Sequence, residues 1–152
     1  MIVYRIGRRK YAKDLNGEGA RLYGGRWNHI LTPCLYTSQS KALALLEYTV
    51  NVNIDDIPRA LSFSTIEIPD DNILGLKTAQ LPGDWKEVPA PTSTKDFGTN
   101  LLKRADNLVI KIPSTIIPGE FNYLLNPLHP DRRNFKIKLV EDFIYDLRIK
   151  TV

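Results

Sequence analysis

Three places in this sequence hold residues that could do chemistry: a carboxylate among apolar residues, an arginine behind paired glycines, and a serine just past a strand-like run. Glu47 closes the run Ala42-Leu43-Ala44-Leu45-Leu46-Glu47. On a helix turning about 100° per residue, Leu43, Leu46 and Val50 share one arc, and Glu47 lies about 40° from Leu43 and about 60° from Val50. A carboxylate at the edge of a buried stripe needs a partner or a task. It pairs with one of the N-terminal arginines, snorkels to water, or serves a cleft. In Tyr23-Gly24-Gly25-Arg26-Trp27-Asn28 the glycines allow the backbone to approach a ligand closely, and Arg26 offers a bidentate grip on phosphate or carboxylate. The same run also reads as a tight turn with a solvated arginine and Trp27 as a core anchor. Ser114 follows Pro113, and the segment Asn122 to Pro130 lies close behind. Taken singly, its Asn-Pro and His-Pro pairs favour turns.

Other chemistries are excluded by what is missing. There is no GxGxxG, P-loop, HExxH or GxSxG pattern. Cys34 is the single cysteine and sits in an apolar run, so an intrachain disulfide is impossible and a catalytic thiol is disfavoured. His29 and His129 are far apart and no CxxC exists, so no metal site is expected.

The 152 residues fit one domain, taken as 1–152, able to bury a core without staples. A hydrophobic fraction of 43% with 25% charged residues excludes whole-chain disorder, and no apolar run approaches a spanning helix. No secretory signal is visible at the start, which makes the cytoplasm the expected location and a membrane role unexpected. The net charge of +4 is local: Arg5, Arg8, Arg9, Lys10, Lys13, Arg21 and Arg26 face only Asp14 and Glu18 in the first 26 residues. Such a segment draws a phosphate-bearing ligand, nucleic acid or an acidic partner, or is a solvated face.

The elements that must position these groups follow from periodicity. Residues 2–6 and 34–37 read as strands, 59–68 alternate in the strand manner, and 107–112 read as a buried strand ended by Pro113. A Gly- and charge-rich loop spans 7–25. Ser38 or Ser40 caps a helix near 40–51, and Thr92 to Thr94 cap another near 94–105. Prolines punctuate a loop around Trp85, and 114–133 reads as irregular with short helical turns. Alternation over Phe135–Leu139 and Phe143–Ile149 predicts one or two closing strands. Strands and helices do not follow a strict βαβ rhythm, so the fold class is α+β, with mixed central sheets flanked by helices.

In combination the pieces are more specific. Gly24-Gly25-Arg26-Trp27-Asn28, then Cys34 to Ser38, then the helix ending at Glu47, then Ile112-Pro113-Ser114, then Asn122 to Pro130 run in order through most of the chain. This arrangement resembles the RES domain family, the toxin halves of bacterial RES/Xre toxin–antitoxin pairs, named for arginine, glutamate and serine. The resemblance implies a fold similar to ADP-ribosyltransferases and an enzyme that consumes NAD as substrate and needs no resident cofactor. It implies Glu47, Arg26 and Ser114 as catalytic residues and Arg26, Tyr36, Ser114 and Asn126 as NAD-binding residues. Many ADP-ribosyltransferases carry their glutamate on a strand, whereas Glu47 reads as helical. His29 and Ile30 also stand where the family often has a glycine, a small loop difference.

The residue types suit that reaction. Cleaving the nicotinamide–ribose bond creates an oxocarbenium-like centre, as in glycoside hydrolysis, but nicotinamide departs neutral and needs no proton donor. Under this reading Glu47 holds a ribose hydroxyl and steadies the cation, Arg26 clamps phosphate oxygens, Tyr36 stacks, and Ser114 and Asn126 position ribose and amide. The resemblance further implies a toxin that degrades cellular NAD, with water or phosphate as acceptor. It would be held in check by an Xre-like helix-turn-helix antitoxin, form a dimer within that complex, and bind no nucleic acid itself. Alternatives are ADP-ribosylation of a protein target, RNA cleavage by the basic segment with His29 and His129, and a non-catalytic antitoxin-binding module.

Overall fold

The computed structural model describes residues 1–150. Its centre is a seven-stranded sheet built from β1 (Ile2–Arg8), β2 (Leu35–Ser38), β3 (Leu61–Glu67), β4 (Ile73–Gly75), β5 (Val109–Pro113), β6 (Phe121–Leu125) and β7 (Lys136–Phe143). The order is β4-β5-β6-β2-β1-β3-β7. The β4–β5 pair is parallel and the others are antiparallel. Three helices, α1 (Glu18–Tyr23), α2 (Lys41–Asn51) and α3 (Thr92–Arg104), accompany it, so the class is α+β as the segment order predicts. No helix among the described residues is long and apolar enough to cross a membrane.

Successive side chains of a strand point to opposite faces, so each face collects its own residues. On one face Val3, Leu35, Ile66, Val109, Tyr123 and Leu125 pack with Leu108 and Phe135. Arg5 lies on this face opposite Ser64. Its guanidinium donates to the carbonyls of Asp14 (2.8 Å), Tyr11 (2.9 Å) and Ala12 (3.1 Å), fastening the loop after β1 over the sheet. Burial lowers its pKa, with Asp14 opposing. The opposite face carries two separate apolar clusters. Ile6, Leu61 and Phe63 pack with Ala44 of α2 and with Tyr145, whereas Ile110, Ile112 and Leu124 pack with Leu102 of α3, Trp27 and Trp85. Each such fully buried side chain contributes roughly 1.5–3 kcal/mol.

The sheet opens between β1 and β2. These strands are joined through Tyr4 and Ser38 alone, whereas β1 pairs with β3 along its whole length. A cavity of about 200 Å³ lies at the opening, lined by Arg5, Ile6, Ala20, Cys34, Leu35 and Tyr36 among others.

Some local expectations hold and others change. Ser40 caps α2 by accepting from the Leu43 N–H at 3.1 Å. Pro91, not a threonine, precedes α3, and Thr94 donates back to the Pro91 carbonyl at 2.8 Å. The loop expected over 7–25 contains α1. Segment 114–133, expected to be irregular, contains β6, which pairs with β2 and β5 in the middle of the sheet. Of the one or two closing strands expected, one, β7, forms among the described residues. Beyond Phe143 the chain leaves the sheet, and Tyr145 donates its ring to the α2 cluster. Val50 is 56% exposed, so the buried side of α2 runs through Leu43, Ala44 and Thr49 instead.

Candidate active site

The glycine–arginine run is a rigid turn. The Gly25 N–H donates to the Asn28 carbonyl at 3.1 Å. The buried Asn28 amide donates to the carbonyls of Ala20 (2.8 Å), His29 (3.1 Å) and Thr32 (2.9 Å), tying α1 to the loop before β2. Its oxygen accepts from the Tyr36 hydroxyl at 2.6 Å, and that hydroxyl accepts from the Trp27 N–H at 3.0 Å. The close approach explains Gly25, because a Cβ there would stand 2.6 Å from the Tyr36 hydroxyl oxygen. The glycine therefore makes room for Tyr36. Burial holds the Tyr36 pKa well above the ordinary phenol value, Cys34 adds to this, and the Trp27 N–H and Arg26 oppose it. The phenol thus remains a donor.

Trp27 is fixed in the core against Trp85 and Phe97, with ring centroids 6.4 and 6.1 Å away. Its neighbour Arg26 donates through Nη1 to the carbonyls of Trp85 (2.9 Å) and Glu87 (2.8 Å). The loop around Trp85 thus holds one end of a half-buried guanidinium whose remaining donors are available. Burial lowers the Arg26 pKa, while the charge of Glu47 and the phenol of Tyr36 raise it. Arginine remains a cation at any ordinary pH.

Glu47 is half-buried on α2 and makes no ion pair among the described residues, contrary to one reading of its place in the helix. Its Oε1 accepts from the Ser114 hydroxyl at 2.9 Å and from the Asn122 amide at 2.7 Å. Asn122 in turn accepts from the Ser38 hydroxyl at 2.6 Å. Ser38 and Asn122 are paired across β2 and β6, and Asn122 faces Ile112 two residues before Ser114. These polar groups form a row between the two apolar clusters, and α2 lays Glu47 over it.

Ser114 is 4% exposed. Its oxygen also accepts from the N–H groups of Ile116 (3.0 Å) and Ile117 (3.2 Å). One donor and two acceptor sites are all a hydroxyl has, so Ser114 is fully engaged in turning the chain and holding Glu47.

The structure therefore brings Arg26, Tyr36, Glu47 and Ser114 to one region, and it separates Asn126 from them. Asn126 follows the opposite end of β6 from Asn122, four residues on and so roughly 13 Å along the strand. It is fully buried, donates to the carbonyls of Leu102 (3.0 Å) and Asn107 (3.3 Å), and accepts from the Leu128 N–H (3.0 Å). Its amide closes the turn after β6 and joins it to the end of α3. The asparagine at Glu47 is Asn122, in the same run but read as loop. Its signal was a polar residue at the start of the apolar stretch Phe121–Leu125. Ser38, read only as a possible cap, is the other omission.

The two histidines have separate partners. His29 Nε2 lies 2.6 Å from Asp96 Oδ1, whereas His129 Nδ1 accepts from the Asp131 N–H at 3.0 Å. Of the basic N-terminal residues, Arg5 is bound to carbonyls, Arg9 pairs with Asp142 and Arg21 with Glu18. Among the described residues no group of three His, Cys, Asp or Glu could hold a metal ion.

This arrangement has relatives. A Yersinia enterocolitica protein named Toxin Res is 38% identical over 99% of this chain and all of its own length. A Sphingobium protein named Prs ADP-ribosylating toxin is 36% identical over 91% of this chain and 88% of its own. The fold is similar to a chain in the crystal structure of the M. tuberculosis MbcT–MbcA toxin–antitoxin complex, with a TM-score of 0.75 at 21% identity over 94% of this chain and 84% of that one. The RES domain model matches residues 2–148, and the chain belongs to the RES domain family.

Proposed function

We propose that this chain is the toxin of a toxin–antitoxin pair and that it breaks the nicotinamide–ribose bond of NAD. The observation that carries this reading is the state of the Glu47 carboxylate. One oxygen is held by two neutral donors, the other has no partner among the described residues, and the Arg26 cation lies within electrostatic reach. The names of the relatives, Toxin Res and Prs ADP-ribosylating toxin, support it.

In the proposed reaction the C–N bond breaks with its electron pair going to the ring nitrogen, so nicotinamide leaves neutral and the ribosyl carbon becomes cationic. Glu47, fixed in direction by Ser114 and Asn122, accepts a hydrogen bond from a ribose hydroxyl and stabilises that cation. Arg26 binds phosphate oxygens through the donors that the Trp85 and Glu87 carbonyls leave available. Tyr36 sets the turn that carries Arg26. Ser114 acts by orienting Glu47, and Asn126 stays outside the site. Water or phosphate then takes the ribosyl group, water losing its proton to solvent.

Transfer to a protein side chain is the second reading, favoured by the name of the Sphingobium relative. In either case a cognate helix-turn-helix antitoxin blocks the cleft by reaching Arg26, in a complex in which the toxin is dimeric. The test is to incubate the purified protein with NAD and follow free nicotinamide. Repeating it with phosphate, with cell extract and with antitoxin separates the acceptors and the mode of inhibition. Growth arrest by the expressed toxin with undiminished cellular NAD would overturn the reading.

A further inference from the structure

Glu47 has a second partner that the arginine, glutamate and serine pattern does not contain, and the direction of every hydrogen bond in that partnership can be worked out. An asparagine amide has a donating and an accepting end, and coordinates alone seldom distinguish them. Here the chemistry does. An ionised carboxylate only accepts, so the group 2.7 Å from Glu47 Oε1 must be the Asn122 NH2. The Asn122 oxygen then faces Ser38, 2.6 Å away, and because that oxygen only accepts, the Ser38 hydroxyl must donate. Ser38 is 3% exposed, and its register opposite Asn122 is set by four consecutive pairs between β2 and β6. The strand register thus places Ser38 against Asn122, and the acceptor-only carboxylate sets the donor order from Ser38 to Asn122 to Glu47.

We infer that Asn122 is a positioning residue for the Glu47 carboxylate and that Ser38 acts through it, by holding the amide with its NH2 toward Oε1. This rests on the reading of Glu47 as the group that meets the ribosyl cation. With Ser114 this arrangement places two donors on Oε1 and leaves Oε2 without a partner among the described residues, as the oxygen that takes the substrate hydroxyl. Without Ser38 the amide is free to rotate its carbonyl toward Glu47, where two acceptors repel.

The test is a double-mutant cycle on nicotinamide release. Asn122→Ala is expected to lower kcat by roughly 10–100-fold, the range for partners that orient a reactive group, with KM for NAD little changed. Ser38→Ala lowers kcat in the same sense and to no greater extent, and Ser38→Thr, which restores the donor, recovers turnover relative to Ser38→Ala. Because Ser38 acts through Asn122, the double variant is no slower than Asn122→Ala alone. Thermal melting checks that each variant is folded, and if Asn122→Ala does not fold, the Ser38 pair decides the matter. A parent-like kcat in Asn122→Ala, losses that multiply in the double variant, or a raised KM with unchanged kcat would overturn the inference while nicotinamide release by the parent stands. A parent that releases no nicotinamide would instead overturn the functional reading, and this assignment with it.

Discussion

Glu47→Gln separates a catalytic carboxylate from a structural one. Glutamine keeps the shape, and its carbonyl oxygen can accept both bonds that Oε1 accepts from Ser114 and Asn122. Hydrogen bonds to a charged group contribute about 1.5–3 kcal/mol and neutral ones about 0.5–1.5, so weakening two of them costs about 2–3 kcal/mol. Relief from holding an unpaired charge in a half-buried place offsets much of this. The net change in stability is expected within about 1 kcal/mol, a melting shift of about 2–4 °C at this chain length. Were Glu47 one half of a buried salt bridge, removing its charge would cost about 3–5 kcal/mol, but no such pair exists among the described residues. The rate tells a different story, because losing a preorganised group that stabilises developing charge commonly costs ~10²–10³. Thermal unfolding and nicotinamide release are measured on one preparation. A melting temperature lowered by ten degrees or more with near-normal turnover would return Glu47 to a structural role and refute the reasoning.

Asn126→Ala is expected to do the reverse. It removes a fully buried amide with three backbone bonds and costs about 2–4 kcal/mol, while turnover per folded molecule, read beside a urea melt, stays close to the parent's. Gly98→Ala places a Cβ 2.0 Å from the Trp27 carbonyl oxygen. Neither backbone can rotate away, so α3 must shift, and a loss of about 1–3 kcal/mol in urea unfolding is expected, with a raised KM for NAD because Trp27 carries Arg26. Burial pushes the Cys34 thiol pKa far up, which keeps it protonated and unreactive at neutral pH. Iodoacetamide should therefore label the native protein only at the rate of unfolding and leave nicotinamide release intact, whereas rapid labelling would contradict the packing.

The parts legible in the sequence are those whose causes are local. Ser40 caps α2 through a bond to Leu43 three residues on, and the strand-forming runs of β1, β3 and β5 mark segments that must be buried whichever strand lies beside them. The ordered motifs single out Arg26, Tyr36, Glu47 and Ser114, and the fold bonds Ser114 to Glu47 and brings Arg26 within electrostatic reach of Glu47 and Tyr36. What the tertiary structure alone decided depends on partners distant along the chain. Phe121–Leu125 looks like loop between Pro118 and Pro127, and it is a central strand because β2 and β5 close on both its edges. Arg26 is held by carbonyls 59 and 61 residues away, and the glutamate meets Ser114 and Asn122 at separations of 67 and 75. The two asparagines of one short run show the difference most clearly. Both are polar residues bounding the same apolar strand, and no local propensity ranks one above the other. Strand pairing set Asn122 against Ser38 and beneath α2, while the turn at the other end of β6 engaged Asn126 in backbone bonds, so the geometry of the sheet assigned their roles.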